Sequence, residues 1–180
     1  MLPATLPRTV VVLALLLGLA ACADAPSTPA AAPVDTRSVD IAYAQGMIPH
    51  HEQALELSAL ARGRAASPDL AFRIDRDQVE ELGQLQGLLR AWGQDPAAGG
   101  GMAMTGMADP ATLERLRTSS GPAFDRLWLE TMVAHHRGAL EMARGHLAAA
   151  GPESALREFS RTLLIGQQAE IDRMTGLLAS

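Results

Sequence analysis

Two stretches of the chain carry the same pattern of soft-metal donors, Met47-Ile48-Pro49-His50-His51 and Met132-Val133-Ala134-His135-His136. Imidazole and thioether both ligate metals, and a Met placed three residues before a His puts the two on one helix face, one turn apart. In the second stretch Trp128, Met132, His135, Ala139, Met142 and His146 continue that seam at spacings of four and three, and in the first Tyr43, Met47, His50, Ala54 and Leu57 do so. His51 and His136 flank the same apolar stripe. Four histidines and two methionines are therefore expected to converge, with Met142 and His146 as further candidates. Thioethers select Cu(I) and, by the same softness, Ag(I). Iron is disfavoured, because helical bundles that hold two irons place Glu where Met47 and Met132 stand. Against this runs the reading in which each Met fills core and each His is a hydrogen-bonded core residue. Met174 is read as such a core residue.

Other polar groups can serve these ligands. Gln78 and Gln167 sit among apolar neighbours, where an unpaired amide costs about 1–3 kcal/mol, so each is expected to hold a His ring in one tautomer. Glu81 and Glu170, one turn later, could do the same or face solvent. Pro49 removes the backbone donor for the Gln45 carbonyl beside the first doublet. Met102, Met104 and Met107 lie in a Gly-rich stretch, where spaced thioethers could pass the ion to or from the bundle.

The elements that position these residues come from a duplication. Asp40–Ala59 aligns without gaps on Asp125–Arg144, pairing Asp40 with Asp125, Tyr43 with Trp128, and the two His doublets with each other. Each copy is followed by a Pro-marked turn, at Ser67-Pro68 and Gly151-Pro152, and then by a second periodic segment. Two helical hairpins, residues 39–92 and 123–179, joined by a Gly/Met-rich linker, 93–122, make an all-α four-helix bundle over 39–180. Within the linker Gly99-Gly100-Gly101 resists regular structure, while Asp109-Pro110 starts a short helix carrying Leu113 and Leu116. The composition agrees: hydrophobic residues make up 48% and aromatics 3%, an Ala/Leu mixture that favours helices over strands.

The first 21 residues read as a secretory signal, Arg8 followed by a short apolar run from Val10 to Leu19. Leu19-Ala20-Ala21-Cys22 has the form of a bacterial lipobox, so Cys22 would carry lipid and tie the protein to a membrane. Residues 22–38, rich in Ala, Pro, Ser and Thr, read as the lipidated Cys and a disordered tether. Cys22 is the only Cys, which excludes an internal disulfide. A net charge of −5 with no Lys gives no basic patch for nucleic acid.

At these residues the sequence resembles the domain-of-unknown-function 305 family of exported helical proteins. The resemblance is carried by Met47-Ile48-Pro49-His50-His51 with Ala54, by Gln78 with Glu81-Leu82, and by Phe124-Asp125 through Met132, His135-His136, Gly138-Ala139 and Met142-Ala143. It spans about residues 38–179 and implies a ferritin-like four-helix bundle with copper binding outside the cytoplasm. The chain departs in having Leu57-Ser58 where its second copy has Met142-Ala143, and His146 in one copy alone.

The expectation is thus an envelope-anchored protein that buffers, sequesters or hands on Cu(I) or Ag(I), to a metal-handling partner or within a homo-oligomer. Two other classes stay open. A metal-dependent oxidase on the same bundle would turn over with oxygen, although no nucleophile and base stand at diagnostic spacing. A metal-free scaffold or interaction module would lose stability, and no metal affinity, with its histidines.

Overall fold

The structure, a computed structural model, describes residues 35–64, 68–99, 104–151 and 153–180. The signal segment, Cys22, most of the tether and Met102 lie outside the described residues. Helix α1 (Thr36–Ala61) is followed by α2 (Pro68–Ala91), a 3-10 turn (Pro96–Gly99), the short α3 (Pro110–Thr118), α4 (Gly121–Ala149) and α5 (Arg157–Leu178). Helices α1 and α2 form one hairpin, α4 and α5 a second, and α3 lies between them. Residues 36–38, expected in the tether, belong to α1, which Asp35 caps by accepting from the Arg37 amide. Gly99, expected in irregular chain, closes the 3-10 turn and is buried against α1. Its Cα packs on the Gln45 carbonyl, the group that Pro49 leaves without a helical donor, at a distance that excludes any Cβ.

Each hairpin packs on itself, α1 on α2 and α4 on α5, and the hairpins meet through α1 and α4. Leu57, Leu70, Ile74, Leu85 and Leu89 fill the first half, and Phe124, Trp128, Leu163, Ile171 and Met174 the second. Met174 is fully buried, as its position on an apolar seam requires. Trp128 also joins the halves by a hydrogen bond, its indole Nε1 donating to the Leu57 carbonyl at 2.8 Å. Asp109 caps α3 through the Thr112 amide, with Pro110 in the first turn where it has no helical donor to lose. The guanidinium of Arg64 lies 4.3 Å over the Phe124 ring and donates to the carbonyls of Leu116 and Ser119, tying the end of α3 to the first hairpin. Among the described residues no helix is long and apolar enough to cross a membrane.

Candidate metal centre

The seam that α1 and α4 share carries Met47, His50, Met132 and His135, each 0–1% exposed. Burial follows from the sequence, since these positions repeat at three and four residues on the face each helix turns to the other. The imidazoles of His50 and His135 meet there, with ring centroids 3.8 Å apart and planes tilted by 39°. His50 Nε2 donates to the Thr105 carbonyl at 3.2 Å, which leaves its lone pair on Nδ1. That Nδ1 and the Nε2 of His135 are buried without a hydrogen-bond partner.

Burial also decides the charge of both rings. Desolvation, reinforced by repulsion from the neighbouring histidines, pushes His50 down to about 3 and holds His135 well below the ordinary imidazole range. Both are therefore neutral at pH 7. His51 and His136 lie close enough for their charges to be felt at both rings, so the four doublet histidines do gather in one region.

The outer member of each doublet is held differently. His51 Nε2 meets a Glu81 carboxylate oxygen at 2.8 Å, and its Nδ1 donates to the Met47 carbonyl at 3.0 Å, so neither ring nitrogen is free. His136 Nε2 meets Glu170 at 2.8 Å in the equivalent arrangement, while its Nδ1 has no partner. Gln78 and Gln167 do not hold a ring: the carboxylates one turn later take that place, and both Gln Oε1 atoms are buried without a partner. Position explains this, because one turn further along α2 and α5 the carboxylates stand level with the outer His rings, at the rim of a groove between the two helices. That groove, of about 480 Å³, is lined by Gln78, Glu81, Gln167 and Glu170.

His146 stands apart from the pair. Its Nδ1 meets Ser160 Oγ at 2.8 Å and its Nε2 meets Asp40 at 2.9 Å, so no nitrogen remains for an ion. Tyr43 stacks on its ring at 4.2 Å, and burial raises the Tyr43 phenol above its ordinary range. Asp40 also accepts from Ser154 Oγ at 2.6 Å and from the Ala155 amide at 3.0 Å, which ties the start of α1 to the turn before α5. Sequence reasoning missed this network. An Asp at the head of an otherwise apolar seam was the signal that a buried partner was needed.

Met142 is half-buried against the core, and Met104 and Met107 are half-buried in the linker on either side of Thr105 and Gly106. Among the described residues no three His, Cys, Asp or Glu side chains are placed to hold an ion together. On the same seam, one turn before each of these rings, stand the buried thioethers of Met47 and Met132. Two neutral imidazoles with free lone pairs and two buried thioethers fit a soft, singly charged ion, since they offer no anionic ligand to offset a higher charge.

Comparison with known proteins agrees with this architecture. No curated protein matches the chain. A DUF305 protein of Streptomyces coelicolor described as secreted is 31% identical, with a TM-score of 0.70 over 78% of this chain and 92% of that one. A DUF305 fragment from Deinococcus radiodurans is also 31% identical, with a TM-score of 0.69 over 78% and 95%. CopM in its Cu(I)-bound form is 28% identical, with a TM-score of 0.63 over 77% and 94%, and CopM is also known in Cu(II)-bound and Ag-bound forms. The model of the DUF305 family, a domain of unknown function, matches residues 40–178, and the chain belongs to that family.

Proposed function

We propose that this protein binds Cu(I) or Ag(I) outside the cytoplasm, with His50 and His135 as the nitrogen ligands and Met47 and Met132 as the thioether ligands. The observation that carries the reading is the pair of unpartnered ring nitrogens, His50 Nδ1 and His135 Nε2, on two adjoining, buried and neutral imidazoles. A buried polar atom without a partner costs about 1–3 kcal/mol, and two on adjoining rings call for something that offsets them. A soft ion does so without adding a hydrogen-bond donor. The free Nδ1 of His136 makes that ring the next ligand in order. His51, whose two nitrogens are occupied, supports the site through Glu81 instead. Glu81 and Glu170, one ring removed, partly compensate the charge of the bound ion.

CopM, which matches this chain over most of both lengths, is known with Cu(I), Cu(II) and silver bound, and supports a metal-binding role. A DUF305 relative described as secreted supports an extracytoplasmic location, to which the lipobox at Cys22 adds a lipid anchor. In that setting the ion is cargo, buffered or handed on, and Met104 and Met107, on either side of Thr105 and Gly106, are its proposed receivers.

A competition titration of the metal-free domain with Cu(I) under reducing conditions tests the reading. Tight 1:1 binding that is lost when His50 and His135 are both changed to Ala, with helicity by circular dichroism unchanged, is the expected result. Equal affinity in the two proteins would refute it.

A further inference from the structure

The linker segment from Met104 to Asp109 is seated on α1 and α4 by contacts that its own composition does not require. The side-chain amide of Gln53 clasps Ala108 at both ends: Nε2 donates to the Ala108 carbonyl at 2.9 Å, and the Ala108 amide donates to Oε1 at 2.6 Å. On the other side the segment descends onto Gly138, where any Cβ would overlap the Thr105 carbonyl oxygen. Gly106, at φ +85°, makes the left-handed turn that this approach needs. Asp109 then fixes the far end by capping α3. What these contacts deliver to the site is one atom, the Thr105 carbonyl oxygen, which accepts the proton of His50 Nε2.

The duplication makes the arrangement legible. Gln53 and Gly138 occupy the same position of the two copies, three residues after His50 and His135. One copy supplies an amide that grips the linker and the other supplies the bare backbone that admits it. A single linker thereby distinguishes two otherwise equivalent histidines, giving His50 a backbone acceptor while His135 Nε2 has none.

We infer that Gln53 is a positioning residue for the metal centre: by clasping Ala108 it holds the Thr105 carbonyl on His50 and so keeps Nδ1 as the lone pair that faces the ion. The proton on a ligating imidazole goes to whichever nitrogen has a fixed acceptor, and loss of such an outer partner weakens metal binding by about 10- to 100-fold. The inference rests on the reading of the His50–His135 pair as a metal site, but its first readout is independent of metal.

That readout is the tautomer of His50 in the metal-free protein, from nitrogen-15 NMR of Gln53→Ala, Gln53→Glu and Gly138→Ala beside the parent. The parent is expected to hold His50 as the Nε2–H form, Gln53→Ala and Gly138→Ala to populate both tautomers, and Gln53→Glu, which keeps one of the two clasping bonds, to lie between. Cu(I) competition on the same proteins should show about a 10- to 100-fold loss for Gln53→Ala and a smaller one for Gln53→Glu. Should Gln53→Ala fail to fold, Gln53→Glu and Gly138→Ala carry both readouts. Folded variants with the parent's His50 tautomer and Cu(I) affinity would overturn the inference and leave Gln53 as a loop anchor. If instead the parent binds no Cu(I), the proposed function fails, and the tautomer result alone decides whether Gln53 controls His50.

Discussion

An imidazole ligates a metal only through a lone pair, and protons compete with the ion for it. At His50 that competition is displaced far into acid, because burial and the neighbouring rings lower its proton affinity to about 3. Cu(I) affinity is therefore expected to stay flat between pH 7.5 and 5, where a site of exposed histidines would weaken through 6.5; a titration series against a pH-independent competitor checks this. The same burial makes the metal-free protein acid-sensitive. Between the ordinary value of 6.5 and about 3 the unfolded chain protonates His50 while the folded chain does not, so stability is full above that window and falls as pH drops through it. Urea unfolding should show this loss, at most about 1.4 kcal/mol per pH unit for each such ring, and His50→Ala should flatten the slope. At His146, whose nitrogens bind Ser160 and Asp40, the expectation reverses. His146→Ala should leave Cu(I) affinity within about twofold and cost about 2–5 kcal/mol of stability, since it removes one of the three groups that the buried Asp40 carboxylate meets and leaves a cavity where the ring stood.

At the scale of elements, the seam between α1 and α4 joins the two hairpins, and Trp128 is its main cross-strut. Trp128→Phe should lower the urea midpoint by the equivalent of about 1–2 kcal/mol with the slope unchanged, since the Leu57 carbonyl loses one donor and the seam loses packing. The helices, the turns and the pairing of the His doublets could be read from periodicity and from the repeat, because both are local properties of side-chain order. The fate of each ring could not. His50 and His51 are adjacent, but one meets a backbone carbonyl from 55 residues away and the other a Glu on α2. Such partners depend on how the linker and the second helices settle, which spacing does not encode. For the same reason the sequence favoured Gln78 and Gln167 over Glu81 and Glu170: the apolar context of each Gln was visible, while the position of each Glu level with an outer His ring was not. Asp40 and His146, 106 residues apart, met only in three dimensions.

For the molecule as a whole, the duplicated bundle concentrates soft donors on its inner seam and keeps the carboxylates that meet the His doublets one layer out, at Glu81 and Glu170 in the α2–α5 groove. That layering should make metal stabilisation selective. At a free concentration 100 times the dissociation constant a ligand of the folded state adds about 2.7 kcal/mol, so Ag(I) or Cu(I) should raise the melting temperature by about 5 to 10 °C. Mg(II) and Ca(II), which prefer oxygen ligands, should leave it unchanged in the same thermal-shift assay. Whether His50 and His135 hold the ion is decided by locating it, through anomalous scattering from crystals of the protein grown with Ag(I). A single dominant peak is expected between His50 Nδ1 and His135 Nε2, within reach of the Met47 and Met132 sulfurs. A dominant peak elsewhere, with the His50–His135 pair still in contact and unoccupied, would refute the assignment of the site to these two rings.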